Sequence, residues 1–229
     1  MKKSVESEPH LKYFGIISTV FVATLLISNT VSSKLFSLGP FIFAGGILIF
    51  PIAYIFGDIL TEVYGYKRSR KIIWTGFFCL FFMSLIYWIV GLLPPAPTWL
   101  NQNAYESILG IVPRIVIASM IAYLAGEFSN SYILAKMKIW TKGRYLWTRT
   151  IGSTLVGEGV DTTIFAVIAF YGTISNNILL IAILSGYIFK VLYEIIATPI
   201  TYKIVRFLKE KEGCDHFDYR TSFNPFRLR

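Results

Sequence analysis

The sequence predicts an all-α integral membrane protein of six transmembrane helices with both termini in the cytoplasm. Six apolar stretches run over about residues 12–31, 40–64, 71–93, 108–134, 150–171 and 178–205. Each reaches the roughly 20 residues that cross a hydrocarbon core about 30 Å thick. Because 55% of the 229 residues are hydrophobic and only 15% are charged, too few polar residues remain for the surface of a soluble domain. We expect one transmembrane domain over residues 1–229, with tails at 1–11 and 207–229.

The basic residues predict the orientation of these helices. Most of the 22 Lys and Arg residues fall in the N-terminal tail, in the segments 67–71 and 136–149, or after residue 202. In a six-helix topology these segments share one side of the membrane. Basic loops face the cytoplasm, so both termini should lie there. The net charge of +9 then indicates orientation, and nucleic acid is not an expected partner.

The first three helices carry distinct end and break signals. Helix 1 ends near Asn29, before a short polar link that contains Lys34. Helix 2 contains Gly45-Gly46 and then Pro51. A proline removes a helical hydrogen bond, so we expect a kink or break there, near the middle of the membrane. Helix 3 is plain and aromatic, and the proline-rich segment 93–99 follows it as a stiff external loop.

The last three helices are delimited in the same way. Helix 4 begins near Leu109, with Pro113 in its first turn, where proline is tolerated. The segment 136–149 mixes aromatic and basic residues, which suits the membrane interface. Helix 5 runs outward and ends at 171–173, and helix 6 returns with Pro199 in its second half.

Cysteine and histidine usage excludes several kinds of site. Cys79 lies in helix 3 and Cys214 in the C-terminal tail, so we expect no disulfide. The two histidines, His10 and His216, lie outside the predicted spans, which excludes a His-ligated metal within the helices. The chain has no phosphate-binding glycine loop followed by Lys-Ser/Thr, so it cannot hydrolyse ATP by that route. We expect no cofactor, no metal and no enzymatic activity.

Eight ionisable residues inside the predicted spans are the main candidates for function, because a charge in the membrane interior is costly and marks pathways or binding sites. They are Asp58, Glu62, Arg114, Glu127, Glu158, Asp161, Lys190 and Glu194.

Depth separates the carboxylates of helices 2 and 4. Glu62 and Glu127 lie near the cytoplasmic end, where we expect both to pair with the basic segment 67–71. Asp58 lies four residues before Glu62 on the same helix face and about a turn deeper. For Asp58, structural and functional roles are weighted evenly.

Helices 5 and 6 bring the second group to the middle of the membrane. Glu158 and Asp161 are three residues apart and share a face, as do Lys190 and Glu194 on helix 6. We expect a buried pair between Lys190 and one of the two helix 5 carboxylates. The pair is either a static salt bridge or part of a polar cavity between helices 5 and 6, and we favour the cavity. Gly157 and Gly159 flank Glu158 and should allow a close approach of another helix or a ligand.

Four further residues are candidates for substrate contact. Arg114, in the outer half of helix 4, either extends outward to the interface or meets a ligand. Asn29 and Lys34 lie at the outer end of helix 1 and could equally be cap and interface residues. Tyr187 is one of several aromatic residues that could stack on a planar ligand; the others are Tyr54, Trp88, Phe165 and Tyr193.

Several motifs, in order along nearly the whole chain, carry a family resemblance. Helix 1 ends SNT at residues 28–30 with Lys34 beyond, and helix 2 reads FP at 50–51 and GDILTEVYG at 57–65. Later segments read GEGVD at 157–161, KVLYE at 190–194, TPITY at 198–202 and FNPF at 223–226. Together these motifs resemble the bacterial queuosine precursor transporter family, also called vitamin uptake transporters.

The resemblance implies import of a 7-deazaguanine used to make queuosine in tRNA, either 7-cyano-7-deazaguanine or its 7-aminomethyl analogue. It also implies a bacterial inner-membrane location and a six-helix fold like the substrate-binding subunits of energy-coupling-factor vitamin transporters. A guanine edge has two N–H donors beside a carbonyl. Glu158 or Asp161 can accept from the donors, and Lys190, Asn29 or Arg114 can donate to the carbonyl.

Three mechanisms remain open. The chain is a stand-alone transporter, with a proton carried by Asp58, Glu158, Asp161 or Glu194. Alternatively it is a substrate-binding subunit that needs a separate ATPase module, docked on the face of helix 1 that carries Gly15, Thr19 and Ala23 at a spacing of four. The least favoured mechanism is an intramembrane aspartyl protease, because Asp58 and Asp161 lie at different depths and the sequence around Asp161 lacks the usual spacing.

Overall fold

In the computed structural model, the described residues are 11–39, 41–172, 175–219, 221–224 and 226. Residues 1–10 of the expected N-terminal tail and Pro225 of the FNPF motif lie outside them. The described part is a helical bundle with one small β-hairpin. The elements in order are α1 (Phe14–Val31), β1 (Leu35–Leu38), β2 (Phe41–Ala44), a 3-10 turn (Gly45–Leu48), α2 (Phe50–Tyr64), α3 (Tyr66–Leu92), α4 (Gln102–Leu109), α5 (Val112–Trp140), α6 (Leu146–Phe170) and α7 (Asn176–Glu212).

Five helical segments of the described chain are long and apolar enough to cross a membrane. They are α1, α3, the combined segment of α4 and α5, α6 to Ala169, and α7. Their outward faces expose large apolar side chains, such as Phe78, Phe82 and Leu184, each at least half exposed. An apolar outer surface of this extent suits lipid as the solvent. The protein is therefore an all-helical membrane protein, as the sequence predicts.

The prediction of one helix over residues 40–64 is wrong for residues 41–49. Residues 41–44 pair antiparallel with 35–38, with Phe36 opposite Phe43, and the 3-10 turn follows. The helix begins only at Phe50, with Pro51 in its first turn rather than in its interior. α2 is therefore about 22 Å long at 1.5 Å per residue, short of a full crossing. The chain breaks where Pro51 predicts a break.

Glycines make this broken segment possible. A β-carbon added to Gly46 would lie 2.6 Å from the carbonyl oxygen of Ser28 on α1. Only glycine lets the 3-10 turn pack this closely on the end of α1. Gly39, in the hairpin turn, has a positive φ of 57°. The hairpin and turn therefore lie directly against the last turns of α1, at one end of the bundle.

Two other boundaries differ from the sequence prediction. Pro113 does lie in the first turn of its helix, as predicted, but that helix continues to Trp140 rather than ending near 134. It can do so because Lys138, which is 2% exposed, is fully paired. α7 likewise continues through Pro199 to Glu212, into the segment expected to be a polar tail.

α5 and α6 are the most closely packed pair in the bundle. A β-carbon on Gly126 would lie 2.6 Å from Cβ of Asp161, and one on Gly157 would lie 2.7 Å from Cβ of Asn130. The close approach predicted at Gly157 is therefore confirmed. Gly159 plays a smaller part, since a β-carbon there would make only ordinary contact with Tyr187 at 3.5 Å. This crossing fixes Asp161 against the centre of α5.

The start of α1 and the end of α7 lie together. The backbone N–H groups of Lys12 and Tyr13 donate to the carboxylate of Glu212, at 2.9 and 2.7 Å. The ends of α2 and α5 and the starts of α3 and α6 lie at the same end. Lys138 of α5 and Arg149 of α6 both donate to Glu62 of α2, and a single residue separates the end of α2 from the start of α3. We call this end of the bundle the basic end, because the segments 67–71 and 136–149 lie there.

Candidate functional site

A cavity of about 110 Å³ lies between α1, the hairpin, α5, α6 and α7. A single water needs roughly 10–15 Å³, so the cavity can hold several waters or part of a small organic molecule. Its lining residues are Ser28, Ser32, Phe43, Ala44, Gly46, Ile47, Phe50, Ser119, Asp161, Thr162, Phe165, Ala166, Ala182, Gly186 and Lys190.

Lys190 and two carboxylates form the charged centre of this cavity. The ammonium nitrogen of Lys190 lies 2.7 Å from Oδ2 of Asp161 and 3.0 Å from Oε2 of Glu158. It also lies 4.4 Å from the ring centroid of Phe50, a cation–π contact. Both predicted partners of Lys190 are therefore present at once. Lys190 and Asp161 line the cavity and Glu158 does not, and the wall is largely apolar, whereas the sequence favoured a polar cavity between helices 5 and 6.

Aromatic rings and small hydroxyl groups form the rest of the wall. Phe43, Phe50 and Phe165 supply flat apolar surface, and Ser28 and Ser119 supply hydroxyl groups. An adjacent wall residue is distinctive: the hydroxyl of Thr162 is buried and has no hydrogen-bond partner within the described chain. Rings beside a few oriented polar groups are typical of sites for planar polar ligands.

Buried carboxyls continue from the cavity toward the basic end. Glu194, one turn after Lys190, is 2% exposed, and neither of its oxygens has a hydrogen-bond partner in the described residues. Glu194 interacts electrostatically with both Glu158 and Asp58. Asp58 accepts a 2.7 Å hydrogen bond from the side-chain amide of Asn130. Glu194 therefore lies between the cavity and the Asp58 pair.

Glu127 extends the polar path one step further. It is fully buried and accepts a hydrogen bond of 3.2 Å from the hydroxyl of Ser131, which in turn lies 3.2 Å from the hydroxyl of Thr61. The expectation that Glu127 pairs with the segment 67–71 is wrong. α5 turns this side chain toward α2, against Gly57, and away from α3.

Glu62 forms a second charged cluster at the basic end. Its carboxylate lies 2.6 Å from Arg149, 2.6 Å from Lys209 and 3.5 Å from Lys138. The expectation that Glu62 pairs with the segment 67–71 is therefore also wrong, because α5, α6 and α7 reach it first. In place of one surface ion pair, the structure has a buried cluster built by four helices.

The other predicted contacts lie outside the cavity. Arg114 is exposed in the first turn of α5, and Lys34 is exposed at the start of the hairpin. Asn29 is buried on α1, where its amide donates to the carbonyl of Leu25, and its side-chain oxygen has no partner in the described residues. Tyr187 is half-buried and donates to the carbonyl of Leu155.

Of the remaining aromatic candidates, only Phe165 lines the cavity. Tyr54 is fully buried in the core and Trp88 is 55% exposed on the outer face of α3. The sequence analysis missed Phe43, Phe50 and Thr162. Two of these residues could have been suspected from the sequence. Phe50 directly precedes Pro51, the predicted helix break, and Thr162 directly follows Asp161, a predicted site residue.

Comparison with known proteins identifies the family. The family described as "Putative vitamin uptake transporter" matches residues 44–204, which include α2, α3, α5, α6 and most of α7. This chain belongs to that family. The resemblance noted from the sequence motifs is thereby confirmed, and the residues that form the cavity cluster and the Glu62 cluster fall almost entirely within the matched range.

Two curated relatives carry more specific names. The chain is 31% identical over 156 residues to the "Probable queuosine precursor transporter" of Bacillus subtilis, covering 68% of each chain. It is 27% identical over 155 residues to the "Queuosine precursor transporter" of Escherichia coli, covering 66% of this chain and 67% of that one. No solved structure matches the chain.

Proposed function

We propose that this member of the vitamin uptake transporter family imports a queuosine precursor of the 7-deazaguanine class across the bacterial inner membrane. The observation that carries the proposal is the Lys190–Asp161–Glu158 cluster, of which Lys190 and Asp161 line a cavity with aromatic walls inside a membrane helix bundle. Two relatives named for queuosine precursor transport give the substrate class.

The cluster has the hydrogen-bonding groups that a guanine-like edge needs. Such an edge presents two adjacent N–H donors beside one carbonyl acceptor. Asp161 or Glu158 accepts from the donors, and the ammonium of Lys190 donates to the carbonyl. Phe50 and Phe165 give apolar ring surface for stacking. A base with a different edge would leave these buried groups unpaired, which is the strongest source of discrimination.

We place the basic end in the cytoplasm, so both chain termini lie there. This orientation follows the excess of Lys and Arg in its loops. In the same arrangement, the β-hairpin, the 3-10 turn and α2 act together as the sixth crossing, with only α2 helical. Non-helical backbone is tolerated at membrane depth where protein covers it or where it lines a cavity, and the turn at Gly46 does both.

Protons are the proposed coupling ion. Five carboxyls of the described bundle are buried, Asp58, Glu127, Glu158, Asp161 and Glu194, and Lys190 forms ion pairs with two of them, Glu158 and Asp161. An uncompensated carboxylate in low dielectric is too costly to persist, so it takes up a proton instead. Among the five, Glu194 is the proposed carrier, since it interacts with both Glu158 and Asp58 and has no hydrogen-bond partner among the described residues.

Uptake by the purified chain in sealed vesicles tests this proposal. Labelled 7-cyano-7-deazaguanine should accumulate when the outside is more acidic, and a proton uncoupler should abolish the accumulation. Glu194→Gln should lose the response to the gradient, whereas Glu210→Gln, which removes a charge from an exposed pair on the same helix, should not. No uptake without an added ATPase module would favour the binding-subunit alternative.

The structure offers little for that alternative on helix 1. The residues proposed as a docking face include Gly15, and a β-carbon there would meet nothing within 4 Å. An open apolar face of this kind is equally suited to lipid. The stand-alone transporter is therefore the function we propose, with the ATPase partner as the outcome that the vesicle experiment would reveal.

A further inference from the structure

A plug of charged side chains closes the bundle between the buried carboxyls and the basic end. Glu62 of α2 is at its centre, and its three cations come from three other helices: Lys138 of α5, Arg149 of α6 and Lys209 of α7. The side chains of Glu62, Lys138 and Arg149 are 1–3% exposed. These three side chains are therefore almost completely shielded from solvent.

The segment after α7 covers this plug from outside. The ammonium of Lys138 donates to Oδ1 of Asp215 at 2.6 Å and to the carbonyl of His216 at 2.7 Å. Asp215 also lies 3.0 Å from Lys209. One aspartate thus bridges two of the three cations that hold Glu62, and the segment is bonded into the plug rather than resting beside it.

The same segment is anchored to the start of α3. The carboxylate of Asp218 accepts the backbone N–H of Tyr66, a group that the helix itself leaves without a partner. Arg70, buried on α3, donates to the carbonyl of Ser222 at 2.8 Å. Residues 213–219 and 221–224 therefore link the start of α3 to the plug.

The plug has a buried inner layer and a partly exposed outer layer, so its ion pairs can be broken first from the aqueous side. Glu62 and Arg149 are sealed, while the side chain of Lys209 is 22% exposed and that of Asp215 is 44% exposed. Partial burial would raise the pKa of Asp215, but hydrogen bonds and charge from Lys138 and Lys209 outweigh it and hold the pKa below its ordinary value. Asp215 is thus ionised at neutral pH, and its partial exposure lets solvent screen its ion pairs.

From these contacts we infer an inner gate, formed by Glu62, Lys138, Arg149, Lys209 and the described residues 213–219 that cover them. It closes the cavity to the cytoplasm and opens when α7 and the segment move away from α2. The inference rests on the proposed function for its direction, because an importer must release its cargo at this end. An ion cluster shared by four helices suits such a two-state element, since its members separate together when one helix moves.

Accessibility of a buried reporter tests the gate without any substrate. Ser131 is fully buried between the gate and the cavity. Its hydroxyl lies 3.2 Å from the hydroxyl of Thr61, within hydrogen-bond distance. In a protein with both native cysteines changed to serine, Ser131→Cys is labelled with a membrane-impermeant maleimide applied to the cytoplasmic face of inside-out vesicles. Asp215→Asn should raise the labelling rate about tenfold, equal to about 1.4 kcal/mol of gate opening. Lys209→Gln should act in the same direction.

Two controls make every outcome decisive. Glu210→Gln removes a carboxylate near Asp215 in sequence, from a pair whose side chains are 84% and 64% exposed, and it should leave the rate unchanged. A second reporter, Ser84→Cys, lies buried in the other half of α3 and should not respond to Asp215→Asn. An unchanged Ser131→Cys rate in both gate variants, or an equal rise at the two reporters, would overturn the gate. Failure of uptake in the vesicle experiment would instead overturn the proposed cargo.

Discussion

Replacing Lys190 should destabilise the protein strongly, because it leaves two carboxylates buried without their cation. The Lys190 side chain is 10% exposed, and its nitrogen lies 2.7 Å from Asp161 and 3.0 Å from Glu158. Breaking a buried ion pair by removing one partner costs about 3–5 kcal/mol. Against a total stability of about 5–15 kcal/mol, that loss is large. Lys190→Met preserves most of the side-chain volume, so the loss reports charge rather than a cavity.

The magnitude translates into a thermal shift. For a chain of this size, 1 kcal/mol corresponds to about 2–4 °C, so Lys190→Met should lower Tm by about 6–20 °C. The assay is thermal unfolding of the detergent-solubilised protein at pH 7, followed by tryptophan fluorescence. The variant Asp161→Asn should also lower Tm, since it removes the shorter of the two ion pairs.

The double variant Lys190→Met/Asp161→Asn decides whether the pair is the cause. It removes one positive and one negative charge together. The decrease in its Tm should therefore be smaller than the sum of the decreases in the two single variants. Interaction energies between contacting residues run from about 0.5 to 3 kcal/mol. A double variant whose Tm shift equals the sum of the single shifts would refute the claim that Lys190 and Asp161 stabilise each other.

Three further predictions follow from other contacts. Gly126→Ala should lower the free energy of unfolding by about 1–3 kcal/mol, because the β-carbon would lie 2.6 Å from Cβ of Asp161. Gly15→Ala should leave it unchanged, and Tm measurements check both variants. Glu62→Gln should lower Tm by several degrees and Glu210→Gln by less than one, since only Glu62 is buried among cations. Because the pKa of Asp215 is lowered, its contact contributes at neutral pH and is lost as pH falls through that pKa, below 3.8. The Tm difference between wild type and Asp215→Asn should therefore be small, constant from pH 7 to 5, and should shrink only as pH falls below 3.8.

The membrane class and the cavity cluster were within reach of the sequence. Apolar length predicted the spans, and comparable depth on helices 5 and 6 predicted that Lys190 would meet Asp161 or Glu158. That argument works because neighbouring antiparallel helices must match buried charges at equal depth. The spacing of four residues also predicted that Asp58 and Glu62 share one face of their helix. Both side chains are buried.

The partners of Glu62 could not be predicted from the sequence. Its nearest cations in sequence are those of the segment 67–71, yet Arg149 and Lys209 approach it from 87 and 147 residues away. Helix rotation and crossing decide such contacts, and one sequence does not specify them. The hairpin was missed for a different reason: its apolar residues continue the run of the helix, and only the Gly39-Pro dipeptide signals a turn.

The most direct measurement is calorimetric binding of 7-cyano-7-deazaguanine, 7-aminomethyl-7-deazaguanine and guanine to the purified protein. We predict that one of the two deazaguanines binds far more tightly than guanine, and that Asp161→Asn loses this binding while remaining folded. Equal binding of all three bases, no binding of any, or full binding by Asp161→Asn would contradict the proposed site.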